Sequence, residues 1–151
     1  MPDTSSGAEL EDTFERFIKR NNIPVVYREE YEADQFIHEN ARRILVKNMH
    51  YTKFNDEIGR MEFLLIDRLS GVRRRYECKN QDVSGSVEEK YPAVLASLNK
   101  KQNKKIFNEL TILYNDNTKI SPGTIRWLNQ EAKQDPRLDV ASFSEFKENF
   151  V

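Results

Sequence analysis

The chain has 151 residues and a formal net charge of −1, with 38% hydrophobic and 32% charged residues. We expect one domain, residues 1–151, with a real core and a flexible start at residues 1–7. No apolar run approaches membrane-spanning length, so no membrane partner is expected, and the single cysteine, Cys78, excludes an internal disulfide and favours a reducing cytoplasm.

Hydrophobic periodicity distinguishes the expected helices from the expected strands. In chain order the elements are a helix at residues 8–21, a strand at 23–27, a polar loop with a helical turn at 28–43, strands at 44–51, 61–67 and 72–81, a helix at 87–102, a strand at 109–114, a helix after Ser121 that includes Leu128, a strand at 138–141 and a helix at 142–150. This order predicts an α/β fold, a mixed β-sheet flanked by helices on both faces.

Local signals support several of these boundaries. Ser6 and Glu9 have the spacing of a capping box at the start of the first helix. Gly71 turns one strand into the next and predicts a hairpin. Pro92 indicates that the regular part of the helix after the hairpin begins only near Tyr91, because proline fits best in a first turn.

Two carboxylates and one lysine are prominent in this hairpin. Glu62 opens its first strand, and Glu77 and Lys79 lie two residues apart in its second strand, so that they share a face. Magnesium is held by one or two carboxylates and keeps several waters, and the backbone carbonyl of Cys78 is a plausible further ligand. Lys79 would orient the attacking water or offset charge on the phosphate. The pattern predicts magnesium-dependent phosphodiester cleavage.

A Glu-x-Lys sequence is also commonplace on an exposed strand, where alternating charges only serve solubility. Three features favour a site here: Glu62 precedes an apolar strand, a short turn joins the two strands, and a helix carrying acids comes first in the chain. On that helix Glu11 lies at the edge of the apolar stripe and is the acid best placed to reach inward. A boundary glutamate in water is the alternative interpretation of Glu11.

Together these features resemble the PD-(D/E)XK nuclease superfamily, which has the restriction-endonuclease-like fold, and its small phage and bacterial members most of all. The likeness spans roughly residues 9–146, and its specific motifs are the stretches 59–63, 77–81 and 84–90. The resemblance implies a nuclease in the cytoplasm of a bacterial or phage-infected cell.

The resemblance also implies roles for individual residues. It makes Glu62 and Glu77 metal ligands, Lys79 the catalytic lysine, Glu11 a first-helix acid at the metal and Gln81 the polar residue beyond the lysine. The implied cofactor is Mg²⁺, with Mn²⁺ able to substitute. One departure is Met61, which replaces the proline of the motif's name and leaves room for a different ligand such as Asp67 or Asp56.

The near-neutral charge counts mildly against a nucleic-acid binder, but the basic residues are clustered. Lys90 lies near the start of a predicted helix, where an anion is favoured, although a solvated lysine is the plain alternative. The other candidates for phosphate contacts are Arg73, Arg74, Arg75, Lys100, Lys101, Lys104 and Lys105. Such contacts would give affinity without reading sequence, and charge runs are often only a solvated face.

The leading hypothesis is a Mg²⁺-dependent endodeoxyribonuclease that acts on DNA as a homodimer or higher homo-oligomer, because a small chain offers little surface for reading sequence. Restriction, homing, junction resolution and phage recombination fit equally well. A non-catalytic DNA-binding or assembly subunit with the same fold is one alternative. An RNA-cleaving nuclease is the other.

Overall fold

The structure, a computed structural model, describes residues 7–79, 90–116 and 121–151, with the backbone alone at Gly7, Ala8 and Lys79. Its helices and strands follow in chain order: α1 (Gly7–Arg20), β1 (Val25–Tyr27), α2 (Arg28–Ala33), β2 (Arg43–Thr52), β3 (Ile58–Asp67), β4 (Arg73–Lys79), α3 (Tyr91–Ala96), two short 3-10 turns (Ser97–Asn99 and Lys101–Asn103), β5 (Glu109–Tyr114), α4 (Pro122–Gln134), β6 (Leu138–Ser142) and α5 (Phe143–Asn149). None of the described helices is long and apolar enough to cross a membrane.

The six strands form one sheet in the order of the sequence, β1-β2-β3-β4-β5-β6. The three central strands β2, β3 and β4 are antiparallel neighbours, and the outer pairs β1–β2, β4–β5 and β5–β6 are parallel. The parallel pairs need crossovers, which the helical segments between those strands supply. The expected α/β fold with a mixed sheet and flanking helices is therefore confirmed.

Each face of the sheet is covered by its own hydrophobic cluster. On the first face, α3, the 3-10 turns and α4 pack on apolar side chains of the sheet, which include Val46, Leu64, Leu110 and Ile112. On the second face, α1 and α5 pack on a different set, which includes Leu45, Phe63, Tyr76, Cys78 and Leu113. Successive strand residues point to opposite faces, so an apolar run such as β5 fills both clusters at once.

The alternation of faces breaks at one position in β2 and at the facing position in β3. Met61 belongs to the first-face cluster and Phe63 to the second-face cluster, although the two residues are two apart in one strand. The β2–β3 ladder pairs Lys47 with Phe63 and Met49 with Met61 but omits the pair between them, Asn48 with Glu62. Asn48 has a left-handed backbone with φ of 62°. The hairpin therefore bends at Asn48 and Glu62.

The helix expected at residues 87–102 is only partly correct. In the described part of the chain, its α-helical portion is the six-residue α3, followed by the two 3-10 turns. Lys100 has an extended backbone, with ψ of 124°, and separates those turns. The polar residues after Leu98 offer no apolar face to continue a helix. The expected start of this helix, the end of the strand at 72–81 and the capping residue Ser6 lie outside the described residues.

Candidate active site at the fork between β3 and β4

Strands β3 and β4 pair over only part of their lengths. The last pair is Phe63 with Tyr76, and beyond it β4 continues to Lys79 paired with β5 alone. We call this point, where β3 and β4 separate, the fork. Glu62 and Glu77 are the residues next to its last pair, one on each strand. The separation coincides with the bend at Asn48 and Glu62, because Glu62 is the residue of β3 directly beyond the last pair with β4.

The two acids at the fork have different surroundings. Glu62 is exposed, and in the described part of the chain its carboxylate has no hydrogen bond or ion pair. Glu77 is buried, with 8% of its surface exposed, and its Oε2 accepts hydrogen bonds from Nε and Nη2 of Arg75 at 3.2 and 3.1 Å. One carboxylate therefore faces solvent, while the fold fixes the orientation of the other.

Arg75 is itself held from several sides on the first face. Its guanidinium lies over the ring of Tyr51, 4.1 Å from the centroid, and 5.7 Å from that of Phe107. Nη1 donates a hydrogen bond to Oγ of Ser97 at 3.2 Å. Burial of Glu77 is tolerated because the Arg75 guanidinium balances its charge and donates two hydrogen bonds to its Oε2.

This placement corrects the expectation that Arg75 contacts phosphate. Only 2% of Arg75 is exposed, so its guanidinium is inside the protein rather than on a DNA-facing surface. The neighbouring Arg73 and Arg74 are more accessible, but both already contact groups of the protein. Arg73 donates to the carbonyl of Ile106, and Arg74 forms an ion pair with Glu109.

The remaining motif residues are placed less fully. Lys79 ends β4, two residues after Glu77, and its side chain and the whole of Gln81 lie outside the described residues. The side chain of Cys78 is buried in the second-face cluster, on the side of the sheet opposite the Arg75–Glu77 pair. Only the backbone of Cys78 could therefore take part in a site at the fork. Glu11 is half-buried on α1, which covers the second face, whereas the Arg75–Glu77 pair lies on the first. The described contacts do not bring Glu11 to Glu77.

The two alternative ligands, Asp67 and Asp56, serve the structure elsewhere. Asp67 ends β3 at the hairpin turn, where it accepts two hydrogen bonds from Arg42 and further ones from the amides of Leu69 and Ser70. The Arg42 guanidinium, helped by these amides, lowers the pKa of Asp67 to about 2. Asp56 lies in the β2–β3 turn and forms an ion pair with Lys100 at 2.5 Å. Neither carboxylate is at the fork.

The expected phosphate-binding lysines divide into two groups. Lys101, Lys104 and Lys105 are exposed beside the 3-10 turns, whereas Lys100 is half-buried and paired with Asp56. Lys90 is exposed and immediately precedes α3. Lys90 also borders a cavity together with Tyr51, the residue whose ring supports Arg75.

The donor atoms at the fork suit a hard divalent cation. The donors are the carboxylates of Glu62 and Glu77 and the backbone carbonyl of Cys78. Mg²⁺ prefers oxygen ligands of this kind and takes only a few of them from the protein. Among the described residues there is no group of three or more histidine, cysteine or acidic side chains that could hold a metal.

Tyr76, in the last pair of the fork, is not suited to act as a base. Burial raises its pKa to about 12, so its hydroxyl stays neutral at physiological pH. Its ring instead packs on Phe14 of α1, with centroids 4.8 Å apart. Tyr76 therefore packs β4 against α1 at the last pair between β3 and β4.

Sequence reasoning missed the part played by Arg75 and its supports. The signal was present, because Arg75 is two residues before Glu77 in one strand and must share its face. A buried carboxylate needs such a partner. Tyr51, Ser97 and Phe107 come from distant segments, and no sequence signal joins them to Arg75.

The fold agrees with the family that the sequence matches. The chain matches the profile of a PD-(D/E)XK nuclease superfamily domain over residues 3–149 and belongs to that superfamily. No curated protein and no solved structure matches it.

Proposed function

We propose that the protein is a Mg²⁺-dependent endodeoxyribonuclease whose active site is the fork between β3 and β4. Membership of a nuclease superfamily supports cleavage of a nucleic acid. The observation that carries the proposal is the position of Glu62 and Glu77, which flank the last pair of the fork on adjacent strands. Two carboxylates at such a position attract a cation, which would also offset their repulsion of a polyanionic substrate.

In this proposal Glu62 and Glu77 hold the cation together with the carbonyl of Cys78. When bound, the ion supplies Lewis acidity and makes a bound water more acidic. Arg75 keeps Glu77 in one rotamer, so the ligand is oriented before the substrate arrives. Lys79 orients the attacking water or offsets charge at the phosphate. Glu11 and Gln81 remain candidates for supporting roles at the same site.

We further propose that two or more chains act together on DNA. A chain of 151 residues has little surface with which to read a site, and a symmetric dimer presents two active sites to two strands. Lys90, Lys101, Lys104 and Lys105 supply the exposed positive charge for phosphate contacts. Sedimentation of the protein with and without DNA measures the number of chains.

One cleavage experiment separates this function from its alternatives. The protein is incubated with supercoiled, branched and single-stranded DNA and with RNA, each with Mg²⁺, with Mn²⁺ and with chelator. We expect metal-dependent cutting of DNA, a loss of about 10²–10³-fold in Lys79→Ala and nearly unchanged DNA binding by that variant. Preferential cutting of RNA would identify the RNA-cleaving alternative. Binding without any cutting would identify the non-catalytic subunit, and cutting without metal would reject the site.

A further inference from the structure

A cavity of about 300 Å³ lies between the tip of the β2–β3 hairpin and the start of α3. Its lining residues are Tyr51, Lys53, Phe54, Lys90, Ala93 and Val94. One side is therefore aromatic and aliphatic, and two ammonium groups border it. Its volume is at the small end of the range for ligand sites.

Phe54 gives this cavity an unusual surface. The side chain is 56% exposed at the tip of the hairpin, where an ordinary turn would be polar. Ile58, across the same turn, is 65% exposed. Phe54 and Ile58 together place apolar surface beside the cavity, and a ligand that stacks on the ring would remove that surface from water.

The turn that carries Phe54 is held rigidly. Asp56 is paired with Lys100, and Asn103 bonds to both the amide and the carbonyl of Thr52, at 2.8 and 2.7 Å. The amide of Lys53 donates to the carbonyl of Glu57 across the turn. Phe54 is therefore presented in a fixed place, and stacking on it requires little ordering of the chain.

The charge at this cavity is positive. In the part of the chain that the structure describes, neither Lys53 nor Lys90 forms an ion pair. The acids of the same turn are already engaged, because Asp56 is bound to Lys100 and Glu57 accepts a hydrogen bond from the Asn55 amide. Among the described residues, no carboxylate therefore neutralises either ammonium group, and an anionic ligand would complement their charge.

The cavity is connected to the fork through one side chain. Tyr51 lines the cavity, its ring carries the Arg75 guanidinium at 4.1 Å, and Arg75 holds the Glu77 carboxylate at 3.1 Å. A ligand in the cavity therefore lies close to the candidate metal ligand.

We propose that this cavity binds an unpaired base of the substrate strand, stacked on Phe54, with Lys53 and Lys90 on the neighbouring phosphates. The inference rests on the proposed function and deepens it, because it makes the substrate a nucleic acid with an unpaired base beside the cut, such as a single strand or a branch. Aromatic stacking and flanking lysines are how single strands are bound without sequence reading. A fully paired duplex keeps its bases inside the helix and cannot fill the cavity.

The test uses a single-stranded oligonucleotide that carries 2-aminopurine, whose fluorescence falls when it stacks. Ca²⁺ replaces Mg²⁺ so that the strand stays intact. The probe base is moved along the strand one position at a time. We expect extra quenching at one position and about tenfold weaker binding by Phe54→Leu, which also loses the quenching. Lys53→Gln with Lys90→Gln should weaken binding and reduce the dependence of log Kd on log salt by about 1.4.

Two matched controls exclude general effects of exposed residues. Phe36→Leu removes another exposed ring, 77% accessible, and Lys133→Gln removes an exposed lysine of α4. Both should bind and quench like the unchanged protein. Because Phe54 is largely exposed, Phe54→Leu should fold normally, and its circular dichroism verifies this.

The outcomes separate this inference from the proposed function. Metal-dependent cleavage with Phe54→Leu indistinguishable from Phe36→Leu would overturn the base-binding cavity and leave the nuclease standing. Quenching that depends on Phe54, without cleavage of any substrate, would support the cavity and reject the nuclease. Absence of all nucleic-acid binding would overturn both.

Discussion

The two ends of the β3–β4 hairpin carry acids in opposite situations. At the turn end, Asp67 accepts hydrogen bonds from Arg42 and from the turn amides, so the local fold alone accounts for it. At the open end, the pairing of β3 with β4 stops. There Glu62 is exposed, and Glu77 is buried against Arg75. Asp67 is thus explained by its turn, whereas the described residues give Glu62 no partner, and we propose that Glu62 shares a cation with Glu77.

The sharpest way to break this comparison is to neutralise one acid at each end. Glu77→Gln and Glu62→Gln should each lower the cleavage rate by about 10²–10³-fold, because each removes a charged ligand of the ion. Asp67→Asn should cleave at nearly the unchanged rate. Rates under single-turnover conditions measure the effect, and equal losses in all three variants would contradict the distinction between the two ends.

Removing the buried guanidinium of Arg75 should produce the largest loss of stability. Arg75→Met leaves the Glu77 charge without its partner, and we expect the free energy of unfolding to fall by about 3–5 kcal/mol. Urea denaturation at pH 7 measures it. The double variant Arg75→Met with Glu77→Gln should recover part of the loss, because no buried charge remains. A double variant no more stable than Arg75→Met would show that the pair is not electrostatically coupled.

The bend behind the fork can be tested at Asn48. Valine strongly disfavours the left-handed backbone at this position, so Asn48→Val should cost about 1–2 kcal/mol of stability, while Asn48→Gly should change it little. If the bend separates β3 from β4, Asn48→Val should also cleave more slowly at temperatures where it is still folded. Equal stability of Asn48→Val and Asn48→Gly would contradict a left-handed backbone at this position.

The smallest expected effect is the pH dependence at the turn end. The pKa of Asp67 is about 2 in the folded protein and 3.8 as its ordinary value, so its stabilisation is present above about pH 4 and lost as pH falls toward 2. Because solvent screens the exposed Arg42, we expect about 1 kcal/mol. Urea midpoints between pH 5 and pH 2 should fall less steeply in Asp67→Asn than in the unchanged protein. Parallel curves would contradict this assignment.

Much of the fold could be predicted because local signals decide it. The strand at 109–114 matched β5, and the turn at Gly71 joined β3 to β4. For the last helix the sequence offered Ser142 or Ser144 as the cap, and Ser142 is the cap of α5. The long helix at 87–102 was wrong in part. After α3 the chain forms 3-10 turns, where the Asn103 side chain bonds to the end of β2, a tertiary contact with no local signal.

The sequence singled out the residues of the candidate site, which stay a prediction, but it did not indicate how the fold arranges them. Glu62, Glu77 and Lys79 stand out by spacing alone. The bend at Asn48 could not be foreseen, because Met61 and Phe63 on either side of Glu62 are both apolar and suit either face of the sheet. Arg75 was placed on the surface since it belongs to a run of three arginines. Its burial depends on Tyr51, Ser97 and Phe107, which only the folded chain assembles.

The central claim is that the fork holds one divalent ion between Glu62 and Glu77. Titration with Mn²⁺, followed by the electron paramagnetic resonance of the free ion, measures this directly without any substrate. We expect one Mn²⁺ site per chain in the unchanged protein and in Asp67→Asn. The affinity for Mn²⁺ should be at least about tenfold weaker in Glu62→Gln and in Glu77→Gln. Equal Mn²⁺ binding by all four proteins would contradict it.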